Sequence, residues 1–169
     1  MQRHAPTAVI LAALLASGLM LAPAAYAQTP TFSDDPCQAP FIIAVPGDLL
    51  REGPLTVVAH DDGAGTRLLF ALESESAAIN IERDGTVEEL GRAALLPDAT
   101  EVILKRLPGG AGVACDDATV LRVEADLPDG GRWGVLGAGQ ETLAELLMQP
   151  TGEILFEDDF MRLPDDPAS

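Results

Sequence analysis

Lysine occurs once in this sequence, at Lys105, and tryptophan once, at Trp133. Arginine brings the basic residues to only 10, against 27 acidic ones, for a formal net charge of −17. Nucleic acids and anionic lipids are gripped by clustered cations that displace counterions from phosphates. No such cluster exists here, so nucleic-acid binding is set aside. Histidine is as scarce, at His4 and His60 alone. A Ser, Cys or Thr nucleophile usually needs a histidine base, and no serine occupies a Gly-x-Ser-x-Gly turn, which argues against a hydrolytic triad. The cysteines are likewise two, Cys37 and Cys115. Their spacing excludes a Cys-x-x-Cys redox pair, and with no histidine close by they do not make a zinc site. Aromatic residues amount to 4%, too few to furnish the two girdles of an outer-membrane barrel. Gly109-Gly110-Ala111-Gly112 lacks the Lys-Ser/Thr of a phosphate-binding loop and reads as a mobile turn.

What is present begins with an export signal. Arg3 supplies a cationic head, Ala8 to Ala22 is an unbroken small and apolar run, and Ala25-Tyr26-Ala27 forms an Ala-x-Ala cleavage site. The run is shorter than the ~20 residues a bilayer-spanning helix needs. Residues 1–27 are therefore expected to be a signal peptide, which places the mature chain in the periplasm or outside the cell. The remainder holds no further long apolar stretch, hence no expected membrane span, and is long enough for one domain. We divide it into an extended leader over residues 28–40, a folded domain over 41–160 and a flexible tail over 161–169.

Export bears on the cysteines, because oxidising compartments favour disulfides. A Cys37–Cys115 crosslink is expected. It would close a loop of about 80 residues, worth roughly 4–5 kcal/mol in the chain-entropy description.

The folded part reads as strands. Short apolar runs at Phe41–Val45, Leu55–Ala59, Arg67–Leu72, Ala77–Arg83, Glu101–Leu107, Thr119–Ala125, Arg132–Leu136 and Glu153–Glu157 are separated by clusters of Gly, Pro and Asp. Val120-Leu121-Arg122-Val123-Glu124 and Ile79-Asn80-Ile81-Glu82 alternate with the period of a half-buried strand. Asp84-Gly85 is a hairpin turn signal, and Pro128-Asp129-Gly130-Gly131 suggests a second hairpin. Connections this short leave no room for crossover helices. The expected fold is an all-β antiparallel sandwich of immunoglobulin-like or jelly-roll type with one or two short helices. Gln140–Met148 is taken as one helix, with pairing of its last residues to the strand at Glu153 as the alternative. Val87, Leu90 and Ala94 also show helical spacing.

Chemistry is harder to find. His60, beside Asp61-Asp62, reads as a solvated turn residue, and Trp133 as strand or core packing. The outstanding pattern is five Asp-Asp doublets, at 34–35, 61–62, 116–117, 158–159 and 165–166. Two of them flank the cysteines. If the disulfide holds its Cα atoms about 6 Å apart, then Asp34, Asp35, Asp116 and Asp117 converge, and their repulsion would be relieved by Ca²⁺, a hard oxygen-seeking cation. Those four residues are the candidate metal ligands; no catalytic or other cofactor-binding residue is assigned.

Phe156-Glu157-Asp158-Asp159-Phe160 resembles the segment that opens many concanavalin-like jelly-roll domains. The match spans five residues near the end of the chain, and no residue role is carried over from it. The functional expectation is an exported, acidic, non-enzymatic binding, adhesion or structural module, calcium-assisted, with an exported protein or a glycan as partner. The alternatives are a secreted hydrolase working with carboxylates, or an inhibitor or accessory subunit of another exported protein.

Overall fold

The computed structural model describes residues 28–35, 37–116, 118–127 and 130–151. The expected signal peptide, the strand at 153–157, the tail and the Phe156–Phe160 segment lie outside these residues, as do Asp117, Pro128 and Asp129. Thirteen strands and two short helices make up the described part.

A six-stranded sheet has the order β1 (Pro30–Phe32), β12 (Gly134–Leu136), β4 (Leu55–Asp61), β5 (Thr66–Glu73), β6 (Ser76–Arg83), β7 (Thr86–Ala94). A five-stranded sheet has the order β10 (Ala118–Glu124), β9 (Gly110–Cys115), β8 (Glu101–Leu107), β3 (Phe41–Pro46), β13 (Leu147–Pro150). A two-stranded clip joins β2 (Cys37–Gln38) to β11 (Gly130–Gly131). Every pairing is antiparallel. The helices are α1 (Gly47–Glu52) and α2 (Gln140–Glu145).

The two-residue period of the strands explains why the sheets stack. Leu68, Phe70 and Leu72 of β5 and Ala77, Ile79 and Ile81 of β6 point one way, and they share a single buried cluster with Phe41, Ile43 and Val45 of β3, Val102 and Leu104 of β8, and Ala111 and Val113 of β9. Burying each large apolar side chain stabilises by roughly 1.5–3 kcal/mol, so the inner faces hold the sheets together. The fold is an antiparallel β-sandwich with two short helices, as the alternation implies. On the far side of the six-stranded sheet, Val58, Leu69 and Leu136 form a smaller cluster with Phe32 packed against it.

The Asp84-Gly85 turn joins β6 to β7 as expected, with both residues at positive φ, 51° and 78°, the pairing a type I′ hairpin requires. Other local expectations changed. Residues 86–94 form edge strand β7 rather than a helix. Gly110 and Gly112 belong to strand β9; a Cβ on Gly110 would lie 2.7 Å from the Val123 carbonyl oxygen, so β10 packs where only glycine allows it. The second hairpin is absent: β10 pairs with β9, whereas β12 lies between β1 and β4 in the other sheet. Gln140–Met148 splits into α2 and β13, and β13 pairs with β3. Residues 28–40 contribute β1 and β2.

The expected disulfide is not formed; Cys37 and Cys115 are buried free thiols. Cys37 sits on β2, paired with Gly131 of β11, whereas Cys115 ends β9, opposite Val102 of β8 and Ala118 of β10.

Candidate functional site

The flank of the sandwich beside Trp133 carries an open hollow of about 360 Å³, lined by Ser33, Asp34, Asp35, Trp133, Gln140, Leu143, Ala144 and Leu146. Three pieces of chain build it. The segment after β1 supplies Ser33 and the two aspartates, the residue before β12 supplies the indole, and α2 with the residue following it supplies the rest. β1 is fixed to β12 by the pairs Pro30–Leu136, Thr31–Val135 and Phe32–Gly134. The Ser33 N–H adds a bond to the Trp133 carbonyl at 2.9 Å. At Gly134 the approach is so close that a Cβ would fall 2.1 Å from the Thr31 carbonyl oxygen. Thr31 Oγ1 donates to the Ala138 carbonyl at 2.8 Å, drawing the chain before α2 against the same strand.

The hollow has an apolar floor and a polar rim. Trp133, Leu143 and Leu146 are buried, while Asp34, Asp35 and Gln140 are exposed. Ser33 Oγ accepts from the Asp35 N–H at 3.1 Å and lies 3.5 Å from Asp35 Oδ2. Trp133 is only 3% exposed, and its indole N–H is buried without a hydrogen-bond partner. A buried donor left unpaired costs about 1–3 kcal/mol.

A second polar group occupies the end of the sandwich next to the clip. His60 is not a solvated turn residue: it belongs to β4 and is 2% exposed, with Nε2 buried and unpartnered. An irregularity in the β4–β5 register between Val58 and His60 accompanies this inward placement. Desolvation, then the charge of Arg106, pushes its pKa below the ordinary value, opposed by Asp62 and Asp61. Arg106, 1% exposed, donates to the carbonyls of Leu107, Gly110 and Leu127. Cys37 Sγ donates to the Gly131 carbonyl at 2.9 Å. Burial raises the thiol's pKa against that bond and Arg106, so Cys37 is held as an unreactive thiol. Asp61, 3% exposed, accepts from Arg67 Nε at 2.8 Å, Arg132 Nη2 at 3.0 Å and the Gly63 N–H at 2.7 Å. Burial works to raise its pKa, but these bonds outweigh it and hold the carboxyl below the ordinary value.

Of the expected metal ligands, Asp117 lies outside the described residues, and the other three occupy two different settings. Asp34 and Asp35 rim the hollow, whereas Asp116, at φ 49°, closes the β9–β10 turn and accepts from Thr100 Oγ1 at 2.7 Å and the N–H groups of Thr100 and Glu101. These bonds, that from the Thr100 hydroxyl first, lower its pKa despite some desolvation. Asp62 likewise serves a turn, accepting from the N–H groups of Ala64 and Thr66 at 2.7 and 2.9 Å. Among the described residues no three His, Cys, Asp or Glu side chains gather to hold a metal ion. Sequence reasoning thus reached Asp34, Asp35 and Trp133 separately but missed that they share a hollow. It also missed buried Arg106 and Asp61, which no local pattern distinguishes from surface charges.

The architecture is that of a β-sandwich with a single-sided polar hollow. No protein-family model and no curated protein matches the chain. Among solved structures, sheep galectin-11 in complex with glycerol aligns with a TM-score of 0.46 at 13% identity, covering 72% of this chain and 98% of the galectin. The carbohydrate-binding module CBM66 from Bacillus subtilis aligns with a TM-score of 0.42 at 9% identity, covering 70% and 76% respectively. Among the described residues no helix is long and apolar enough to cross a membrane.

Proposed function

We propose that the chain is an exported, non-enzymatic binding module whose hollow beside Trp133 takes a glycan. One observation carries this reading: two carboxylates, a serine hydroxyl and a glutamine amide line one hollow together with Trp133, Leu143, Ala144 and Leu146. Ligand sites combine an apolar lining with a few convergent polar groups in this way. Sugar hydroxyls both donate and accept, so they suit carboxylate acceptors and an amide beside an aromatic and aliphatic floor. A carboxylate hydrolase would need an acid held protonated near neutrality. Of the described carboxyl groups that shift, Asp61, Asp62 and Asp116 all move down. An accessory subunit would present a contiguous apolar patch, whereas among the described residues the large exposed apolar side chains are Leu96, in the β7–β8 connection, and Leu147, on β13.

Trp133 makes the test direct. Oligosaccharides titrated into the protein are expected to change its fluorescence saturably, and Gln140→Ala, which removes a polar group from the exposed rim, is expected to weaken binding measured by calorimetry. A panel of neutral, amino and acidic oligosaccharides that all fail to bind would overturn the reading.

A further inference from the structure

The clip of β2 and β11 closes over a buried base. His60 on β4 is 2% exposed, and among the described residues its Nε2 has no hydrogen-bond partner. Gly131 lies directly against the ring: a Cβ there would stand 2.7 Å from His60 Nδ1 and 3.0 Å from Cε1. Few bonds hold this cover down. β11 joins β2 through the pairs Gly130–Gln38 and Gly131–Cys37. The Cys37 thiol adds its bond to the Gly131 carbonyl at 2.9 Å, and the Arg132 N–H donates to the Asp61 carbonyl at 3.0 Å.

The surroundings suit a neutral imidazole and not a cation. From β8, buried Arg106 brings a positive charge and occupies the carbonyls of Leu107, Gly110 and Leu127. From β2, the Cys37 thiol is kept neutral by burial. The residue opposite on β5 is Leu68, and β11 contributes glycine alone. Asp61 and Asp62, which follow His60 in the chain, favour the charged form. The first already accepts from Arg67, Arg132 and Gly63, and the second from Ala64 and Thr66. A buried charge without a partner is strongly disfavoured.

We propose that the clip is an acid-released latch: a proton taken up by His60 makes a cation that the closed clip cannot solvate, and β2 with β11 parts from β4 to admit water. Desolvation, then Arg106, holds the folded pKa below 6.5. The latch is therefore shut above that value, and the open form gains as pH falls from it toward the folded pKa. Asp34 and Asp35 lie between β1 and β2, so opening loosens one side of the hollow's rim. The latch does not depend on what the hollow binds.

The test is thiol labelling of the full chain with a disulfide reagent that stays reactive in acid, located by peptide mass and scaled at each pH to the urea-unfolded protein. Cys37 belongs to the latch, and Cys115 ends β9 in the core. The Cys37 rate is expected to rise about fivefold from about pH 7.5 to about pH 5, within the tenfold per unit that one proton permits, while Cys115 stays protected. His60→Gln should remove the rise. Gly131→Ala, whose Cβ presses on the imidazole, should speed Cys37 labelling already at neutral pH. In the native chain, a flat Cys37 profile or an equal acceleration of both thiols would overturn the proposal, the latter by showing global unfolding. So would a rise that survives undiminished in His60→Gln, or a Gly131→Ala variant labelled at the native rate.

Discussion

Replacing Asp61 by asparagine removes one buried charge and leaves the side chain's shape almost unchanged. The native carboxylate, 3% exposed, holds Arg67 through Oδ2 and both Arg132 and the Gly63 N–H through Oδ1. In the variant the carbonyl oxygen keeps the partners of one native oxygen, while the amide nitrogen faces arginine or Gly63 donors where the other stood. A hydrogen bond to a charged group contributes about 1.5–3 kcal/mol net, and two are weakened. The arginine side chains are 28% and 54% exposed and regain water, which reduces the penalty. The expected loss is roughly 2 kcal/mol, or about 6 °C in melting temperature for a domain of this size. The pH dependence follows from the direction of the Asp61 shift. Its folded pKa is depressed, so its contribution is complete above the unfolded value of 3.8 and is lost as pH falls through the folded pKa. Urea unfolding followed by Trp133 fluorescence at neutral pH and near pH 3 measures both effects, with the gap between variant and native protein narrowing in acid. A variant as stable as the native protein at neutral pH, or a gap that persists undiminished in acid, would refute the reasoning.

Three further outcomes follow from the same geometry. His60 is buried with a lowered pKa; the unfolded chain therefore binds its proton first, so stability should fall as pH drops below 6.5 toward the folded value, and His60→Gln should flatten that slope in denaturant titrations. Cys37 and Cys115 should resist a thiol reagent in the native protein and both react once it is unfolded, with an intact mass corresponding to two thiols; a crosslinked mass would contradict their being separate buried thiols on β2 and β9. Gly134→Ala should cost at least about 1–3 kcal/mol, the usual penalty of overpacking, because its Cβ would meet the Thr31 carbonyl oxygen at 2.1 Å; thermal unfolding at the native Tm would show that β1 yields freely.

The sandwich was legible because alternation and turn chemistry are local. Strand β8 spans the expected Glu101–Leu107, and Asp84-Gly85 turns where glycine and aspartate tolerate positive φ. What failed depended on partners distant in sequence. The β7 segment has apolar residues at three- and four-residue spacing, yet pairing with β6 along its whole length decides its conformation. The Gly109–Gly112 run is part turn and part strand: Gly109, at φ 74°, reverses the chain, whereas Gly110 lies where β10 approaches closely. His60 and Asp61 sit beside Asp62-Gly63, a turn signature that hid their burial. The disulfide expectation followed compartment and count alone, neither of which says which strands carry the two cysteines. Asp34, Asp35 and Trp133 were each visible, but nearly a hundred residues separate the aspartates from the indole, and only the β1–β12 pairing brings them into one place.

The two-residue clip of β2 and β11 gives the acidic rim a second mooring. Asp34 and Asp35 are strung between a strand bound to β12 on one side and a strand bound to Gly130–Gly131 on the other. For the glycan site proposed above, the clip is a point of control at a distance: Cys37→Ala removes the thiol's bond to the Gly131 carbonyl, and the expected result is a lower affinity through a greater ordering cost, with every lining side chain kept.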